Sequence, residues 1–164
     1  MSAAPFDPLR LLKTLDRHGV RFVVIGGIGG RLWGSTTVTN VLDICIGRDG
    51  ANLAALANAL RDLKVKLRGV GADLKFIADA RTLENGDHFT FTTLAGNLDC
   101  LGTSKGSGGY ESLARNAEPM EVGGVIVSVA ALPDLIAMKR AAGRLKDLIE
   151  VEILSAVRDE IERE

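Results

Sequence analysis

The stretch Val23–Ile46, VVIGGIGGRLWGSTTVTNVLDICI, constrains this chain more than any other. It runs from an apolar, β-branched segment into the pair Gly26-Gly27, through a short helical segment, and into a second apolar run. That second run carries Asp43, a lone carboxylate between Leu42 and Ile44. An ionised carboxylate in a buried strand is costly unless it is paired or metal-bound. A Gly-rich turn that holds an anion and strand carboxylates that hold its magnesium are the parts of a phosphate-handling site.

The rest of the chain supplies a frame for that stretch. Its 164 residues suit a single domain spanning 1–164, and 46% hydrophobic with 25% charged residues is the balance of a folded globular chain. The formal net charge of −1 means that any nucleic-acid partner would have to meet a local basic face. Two cysteines, Cys45 and Cys100, each lie in an apolar run and read as small core residues. With no paired-cysteine framework and no signal peptide at the N-terminus, a cytoplasmic setting is expected. No apolar run reaches the roughly 18–20 residues of a membrane span, so no membrane association is expected.

Beyond a short leader, Met1–Phe6, Asp7, Pro8 and Gly19 punctuate a first helix that ends near His18. Val20–Ile25 reads as a buried strand, Gly26-Gly27 as a turn, Ile28–Trp33 as a short helix and Val41–Ile46 as a second buried strand. A helix follows over Ala51–Leu63, then at best a weak strand and a loop over Lys64–Ala80. His88–Thr93 and Leu98–Leu101 read as strands about a turn at Ala95-Gly96-Asn97, and the second of them carries Asp99. Thr103–Gly109 is a Gly/Ser loop with one lysine, Lys105, and a short helix spans Tyr110–Asn116. Met120–Val129 is a hairpin turning at Gly123-Gly124, and Leu132–Ala142 and Arg144–Glu164 are helices. The order predicts the α/β (α+β) class: a mixed β-sheet flanked by helices, with a helical C-terminal part from about 132 to 164.

Three groups could carry chemistry. Gly26-Gly27 is either a tight turn or an amide cradle for phosphate; it is neither a Walker A loop, which needs a Gly-Lys-Ser/Thr, nor a GxGxxG motif. Asp43 and Asp99, if their strands converge, form a divalent-cation site for phosphoryl or nucleotidyl transfer; otherwise they are salt-bridge partners of arginines. Lys139, Arg140, Arg144, Lys146 and Asp147 form either a solvated helix face or a set from which Lys139 reaches a polyphosphate.

Together these pieces resemble the polymerase-β-like nucleotidyltransferases. Gly26-Gly27, Arg31-Leu32-x-Gly34-Ser35 and Thr39-x-Val41-Leu42-Asp43-Ile44 are similar to that superfamily's first motif. Gly96-x-Leu98-Asp99 is similar to its third-carboxylate strand. The run from Leu132 through Lys139, Arg140 and Gly143-Arg144-x-Lys146-Asp147 resembles the C-terminal helical motif of the AbiEii/MenT-like toxin branch. The likeness runs from about Leu11 to Leu154. It implies a nucleotidyltransferase-like fold and Mg2+-dependent transfer of a nucleoside monophosphate from an NTP, with the tRNA 3′ end as acceptor and a cognate antitoxin protein as partner. It also implies that Gly26 and Gly27 cradle phosphates near Arg31 or Ser35, and that Asp43 and Asp99 hold the metal. Lys139 would contact the triphosphate, Asp147 would complete the site, and Thr39 would be a position for phosphorylation.

One position departs. The superfamily's motif is Asp-x-Asp, and Val41-Leu42-Asp43 lacks the first acid. An apolar side chain there removes about half of the motif's charge, which in two-metal chemistry costs orders of magnitude in rate. The chain is then an inactive natural relative, a loss-of-function form one base change from Asp, or a case where the motif's register lies elsewhere. Two other expectations stand beside the toxin: a non-enzymatic relative that binds a nucleotide or a partner protein, and a small-molecule (antibiotic) nucleotidyltransferase.

Overall fold

The structure is a computed structural model that describes residues 4–69 and 76–164. Met1–Ala3 of the expected leader and residues 70–75 of the expected loop lie outside the described residues.

The described chain runs α1 (Pro8–Arg17), β1 (Phe22–Ile25), α2 (Gly26–Leu32), β2 (Val41–Ile46), α3 (Gly50–Asp62), β3 (Lys66–Leu67) and α4 (Ala80–Glu84). It continues β4 (His88–Thr93), β5 (Gly96–Leu101), α5 (Tyr110–Asn116), β6 (Glu118–Val122), β7 (Val125–Val129), α6 (Leu132–Ala142) and α7 (Leu145–Glu162). The strands form one sheet in the order β3-β4-β5-β2-β1-β7-β6. It is mixed: β2 pairs parallel with β5 and β1 parallel with β7, while the remaining pairs are antiparallel.

The sheet's first face carries Leu42, Ile44, Phe91, Leu98 and Val127, on which α1, α3 and α4 lay Leu12, Leu56, Leu60 and Leu83. Burying each such side chain contributes about 1.5–3 kcal/mol before its lost entropy is counted. The second face carries Val23, Ile25 and Cys45, covered by Leu113 of α5, Leu135 of α6 and Val151 and Leu154 of α7. Only the middle of the sheet is covered on this second face, and that asymmetry makes room for a cleft. Both cysteines are free and buried.

Most elements lie where the sequence puts them, and four differ. Gly26-Gly27 opens α2 instead of forming a separate turn. β1 begins at Phe22 because Gly19 (φ +72) and the bond from the Val20 amide to the Leu15 carbonyl still belong to the close of α1. β5 begins at Gly96, which pairs with Thr93 across a two-residue connection. The short helix α4, which the sequence reading lacks, is capped by Asp79, whose carboxylate accepts from the Thr82 amide at 2.8 Å.

Candidate active site

Asp43 and Asp99 are register partners on the parallel pair β2 and β5, so both carboxylates leave the sheet on the second face. Val41 and Asn97 are partners two residues earlier on the same face. A cleft of about 330 Å³ lies over Asp43 and Asp99, with Gly26 and Ile25 on one side and Lys139, Asp147 and Arg144 of the C-terminal helices across it.

Gly26 and Gly27 make this close packing possible. A Cβ on Gly26 would stand 2.2 Å from Asp43 Oδ2, and its φ of +64° is a value that glycine tolerates. A Cβ on Gly27 would stand 2.9 Å from Thr39 Cβ. The pair thus lets the Asp43 carboxylate and the Thr39 side chain press against the backbone at the start of α2.

The electrostatics of the cleft are uneven. Burial raises the Asp43 carboxyl to about 7, helped by the charge of Asp99 and a hydrogen bond with it, while Lys139 and Arg68 pull the other way. Asp99 forms an ion pair with the Arg68 guanidinium. Asp147 is almost wholly buried at 1% side-chain exposure. Burial pushes that carboxyl up, yet the hydrogen bonds and charge of Arg144 outweigh it and hold the group below its usual range. Arg144 Nε donates to Asp147 Oδ2 at 2.6 Å, and the Arg144 amide donates to the same oxygen at 3.2 Å, closing a capping box at the start of α7. Lys139 Nζ stands 3.9 Å from Asp147 Oδ1, an ion pair at long range that leaves the ammonium's donors free to turn into the cleft.

The structure therefore brings together Gly26, Asp43, Asp99, Lys139 and Asp147, five of the residues singled out in the sequence. Others do not line the cleft. Arg31 is exposed on α2 and donates to the carbonyl of Thr37 at 3.1 Å. Ser35 is buried, its hydroxyl accepting from the Thr37 amide at 3.2 Å. Thr39 is half-buried with its hydroxyl against the Val41 backbone. Val41 shares the face of Asp43 and offers no oxygen there.

Sequence reasoning missed Arg68, which holds the cleft residue Asp99, and His88, which lines the cleft. The alternation Lys64, Lys66, Arg68 was the available signal for the first. Lys105, read only as the lysine of a loop, also reaches the cleft wall. Its loop is packed on α6 at Gly106, where a Cβ would meet the Ala137 carbonyl oxygen at 2.8 Å.

The donor set fits one divalent cation better than two. Asp43 and Asp99 are paired carboxylates, and Asp147 is already engaged by Arg144. No group of three or more His, Cys, Asp or Glu residues suited to a metal occurs among the described residues. A cation between Asp43 and Asp99 would remove the repulsion that keeps a proton on the pair.

No protein-family model matches this sequence, and no curated protein matches it. Among solved structures, the chain is similar to a Thermotoga maritima protein whose crystal structure is described, provisionally, as that of a nucleotidyltransferase. The match has a TM-score of 0.50 and 17% identity, and covers 98% of each chain. The fold is nucleotidyltransferase-like. No helix among the described residues is long and apolar enough to cross a membrane.

Proposed function

We propose that this chain is a nucleotidyltransferase of the toxin type, which moves a nucleoside monophosphate from an NTP to the 3′ end of tRNA and so blocks translation. The observation that carries the reading is the convergence of Asp43 and Asp99, in register on adjacent parallel strands, with Lys139 across the same cleft.

In this reading the acceptor hydroxyl oxygen attacks the α-phosphorus of the NTP. The bond from that phosphorus to the bridging oxygen breaks, pyrophosphate leaves, and the hydroxyl proton passes to solvent water, the Asp43–Asp99 pair being taken up by the cation. Asp99, held by Arg68, faces the acceptor side, and Lys139 offsets the charge of the triphosphate. Asp43 and Asp99 would hold one Mg2+, which supplies Lewis-acid polarisation of the reacting phosphate. Asp147 acts by fixing Arg144 and the approach of α6 to α7.

Val41 sets the expected output. With no carboxylate there, this form turns over weakly or not at all, and the same observation favours a second reading, a nucleotide-binding relative without catalysis. The test is transfer of label from each of the four NTPs, with Mg2+, by the Val41→Asp form to total tRNA, to protein and to an aminoglycoside. The toxin reading expects labelled tRNA, lost on adding Asp43→Asn. Labelling of the drug alone supports a small-molecule enzyme. Absence of any labelling by Val41→Asp overturns the enzyme reading and leaves nucleotide binding. An antitoxin partner is expected with the toxin reading, checked by co-purification with the product of the neighbouring gene.

A further inference from the structure

The sheet's second face does not end at the cleft. Strand pairing lays out two adjacent rows of side chains across it. One row runs Thr90, Asp99, Asp43 and Ile25; the next runs Lys66, Thr92, Asn97 and Val41. Among the described residues, helices α5, α6 and α7 cover this face over β1 and β2, packing on Val23, Ile25 and Cys45, and reach β5 at its end, at Leu101. Over the rest of β5, and over β4 and β3, no described element covers the face: Thr90, Thr92 and Asn97 are half-buried and Lys66 is exposed. The opposite side chains of these strands, Leu67, Phe91 and Leu98, pack in or against the core, so the polar row lies outside that core.

The open face is also basic. Lys64 and Lys66 line a shallow depression of about 270 Å³ together with Thr92 and Asn97. Neither ammonium meets a carboxylate among the described residues. Arg68, whose amide donates to the Thr90 carbonyl at 2.9 Å, continues the line, and its guanidinium holds Asp99. The path thus leads from Lys64 and Lys66, past hydroxyl and amide side chains, to the carboxylate pair at the cleft floor.

We infer that this open face of β3, β4 and β5 is the docking track for a single-stranded polynucleotide end, with backbone phosphates on Lys64 and Lys66. Sugar hydroxyls then meet Thr90, Thr92 and Asn97, and the terminal hydroxyl arrives beside Asp99. Charge complementarity names the occupant: lysines that meet no carboxylate among the described residues, beside neutral hydrogen-bonding side chains, fit a strand of regularly spaced phosphates. The inference rests on the transferase reading of the cleft and adds the acceptor's route to it.

The experiment measures anisotropy of a fluorescent single-stranded RNA, and of tRNA, on the full chain across a salt series, with NTP binding followed by calorimetry. Lys64→Glu/Lys66→Glu is compared with Arg10→Glu/Lys13→Glu, a charge reversal on α1, which packs against the other face of the sheet. The inference expects the first reversal to weaken RNA binding at least about tenfold. Removing two phosphate contacts lowers the salt slope by about 1.4. NTP binding and melting temperature stay as in the parent, Lys66→Arg keeps RNA binding, and the α1 reversal changes nothing. Unchanged RNA affinity in Lys64→Glu/Lys66→Glu overturns the track, as does equal weakening by the α1 reversal or no RNA binding by the parent. Loss of NTP binding is a separate outcome: a parent that binds RNA through this face but binds no NTP leaves the track standing and removes the transferase reading.

Discussion

Asp43 and Asp99 face one another as register partners on parallel strands, and their proximity with burial keeps a proton on Asp43 to about pH 7. The pair is therefore a site that needs something positive, a proton or a cation, between its two carboxyls. Nearby positive charges do not meet that need in full, because Arg68 is committed to Asp99 and Lys139 stands near Asp147.

The first consequence is a pH dependence of stability with a definite sign. The folded pKa of Asp43 lies above its ordinary value, so the native state binds this proton more tightly than the unfolded chain. The contribution is complete below about pH 4 and is lost as pH rises to about 7, with a slope of up to about 1.4 kcal/mol per pH unit. Asp43→Asn removes this component. Urea midpoints at pH 5, 6, 7 and 8 without divalent ions check it: the mutant is more stable than the parent at pH 8, and the difference narrows towards pH 5.

Magnesium is expected to act on the same pair if the proposed site binds it. At pH 8 it raises the melting temperature of the parent by replacing the missing positive charge, and the rise follows the ion concentration by mass action. Asp43→Asn shows no such rise. Differential scanning with magnesium against an equal ionic strength of potassium separates site binding from screening.

Gly26→Ala is expected to damage both fold and cleft. Its Cβ would lie 2.2 Å from Asp43 Oδ2, and φ +64° adds about 1 kcal/mol of backbone strain. We expect a loss of about 2–4 kcal/mol in denaturant titration. In an Asp43→Ala background the contact with the carboxylate is gone but the contact with the residue's Cβ at 2.9 Å and the strain remain, so the rescue is partial and the two substitutions are non-additive.

How much of this was legible in the sequence varies with the reach of the forces involved. Val41–Ile46 matched β2 to the residue, since a continuous apolar run between polar turns settles a strand locally. Asp43, Asp99 and Lys139 could be singled out because a charge in an apolar run is itself a signal. The parallel register that puts Asp43 opposite Asp99 is a non-local fact that no residue pattern states. Gly26-Gly27 was read as a turn because glycine disfavours helix, and the close packing of Asp43 and Thr39 overrides that preference. Arg68 was passed over because β3 is two residues long and its polar alternation faces the open side.

Glu150 offers a test away from the cleft. It is buried at 3% exposure; its Oε2 accepts from the Thr37 hydroxyl at 2.6 Å, and its Oε1 has no partner among the described residues. Thr37→Val strips the remaining partner and is expected to cost about 1–3 kcal/mol. Denaturant titration reads the loss, and Thr37→Ser, which keeps the hydroxyl, restores most of it.

The Asp43–Asp99 cleft is proposed to bind a magnesium–nucleoside triphosphate, with Val41 weakening that binding. Calorimetric titration of a non-hydrolysable NTP with Mg2+ into the parent, Val41→Asp and Val41→Asp/Asp43→Asn tests this directly. The account predicts binding to Val41→Asp at least about tenfold tighter than to the parent, abolished by Asp43→Asn. Equal affinity in all three proteins, or no binding to Val41→Asp, would contradict it.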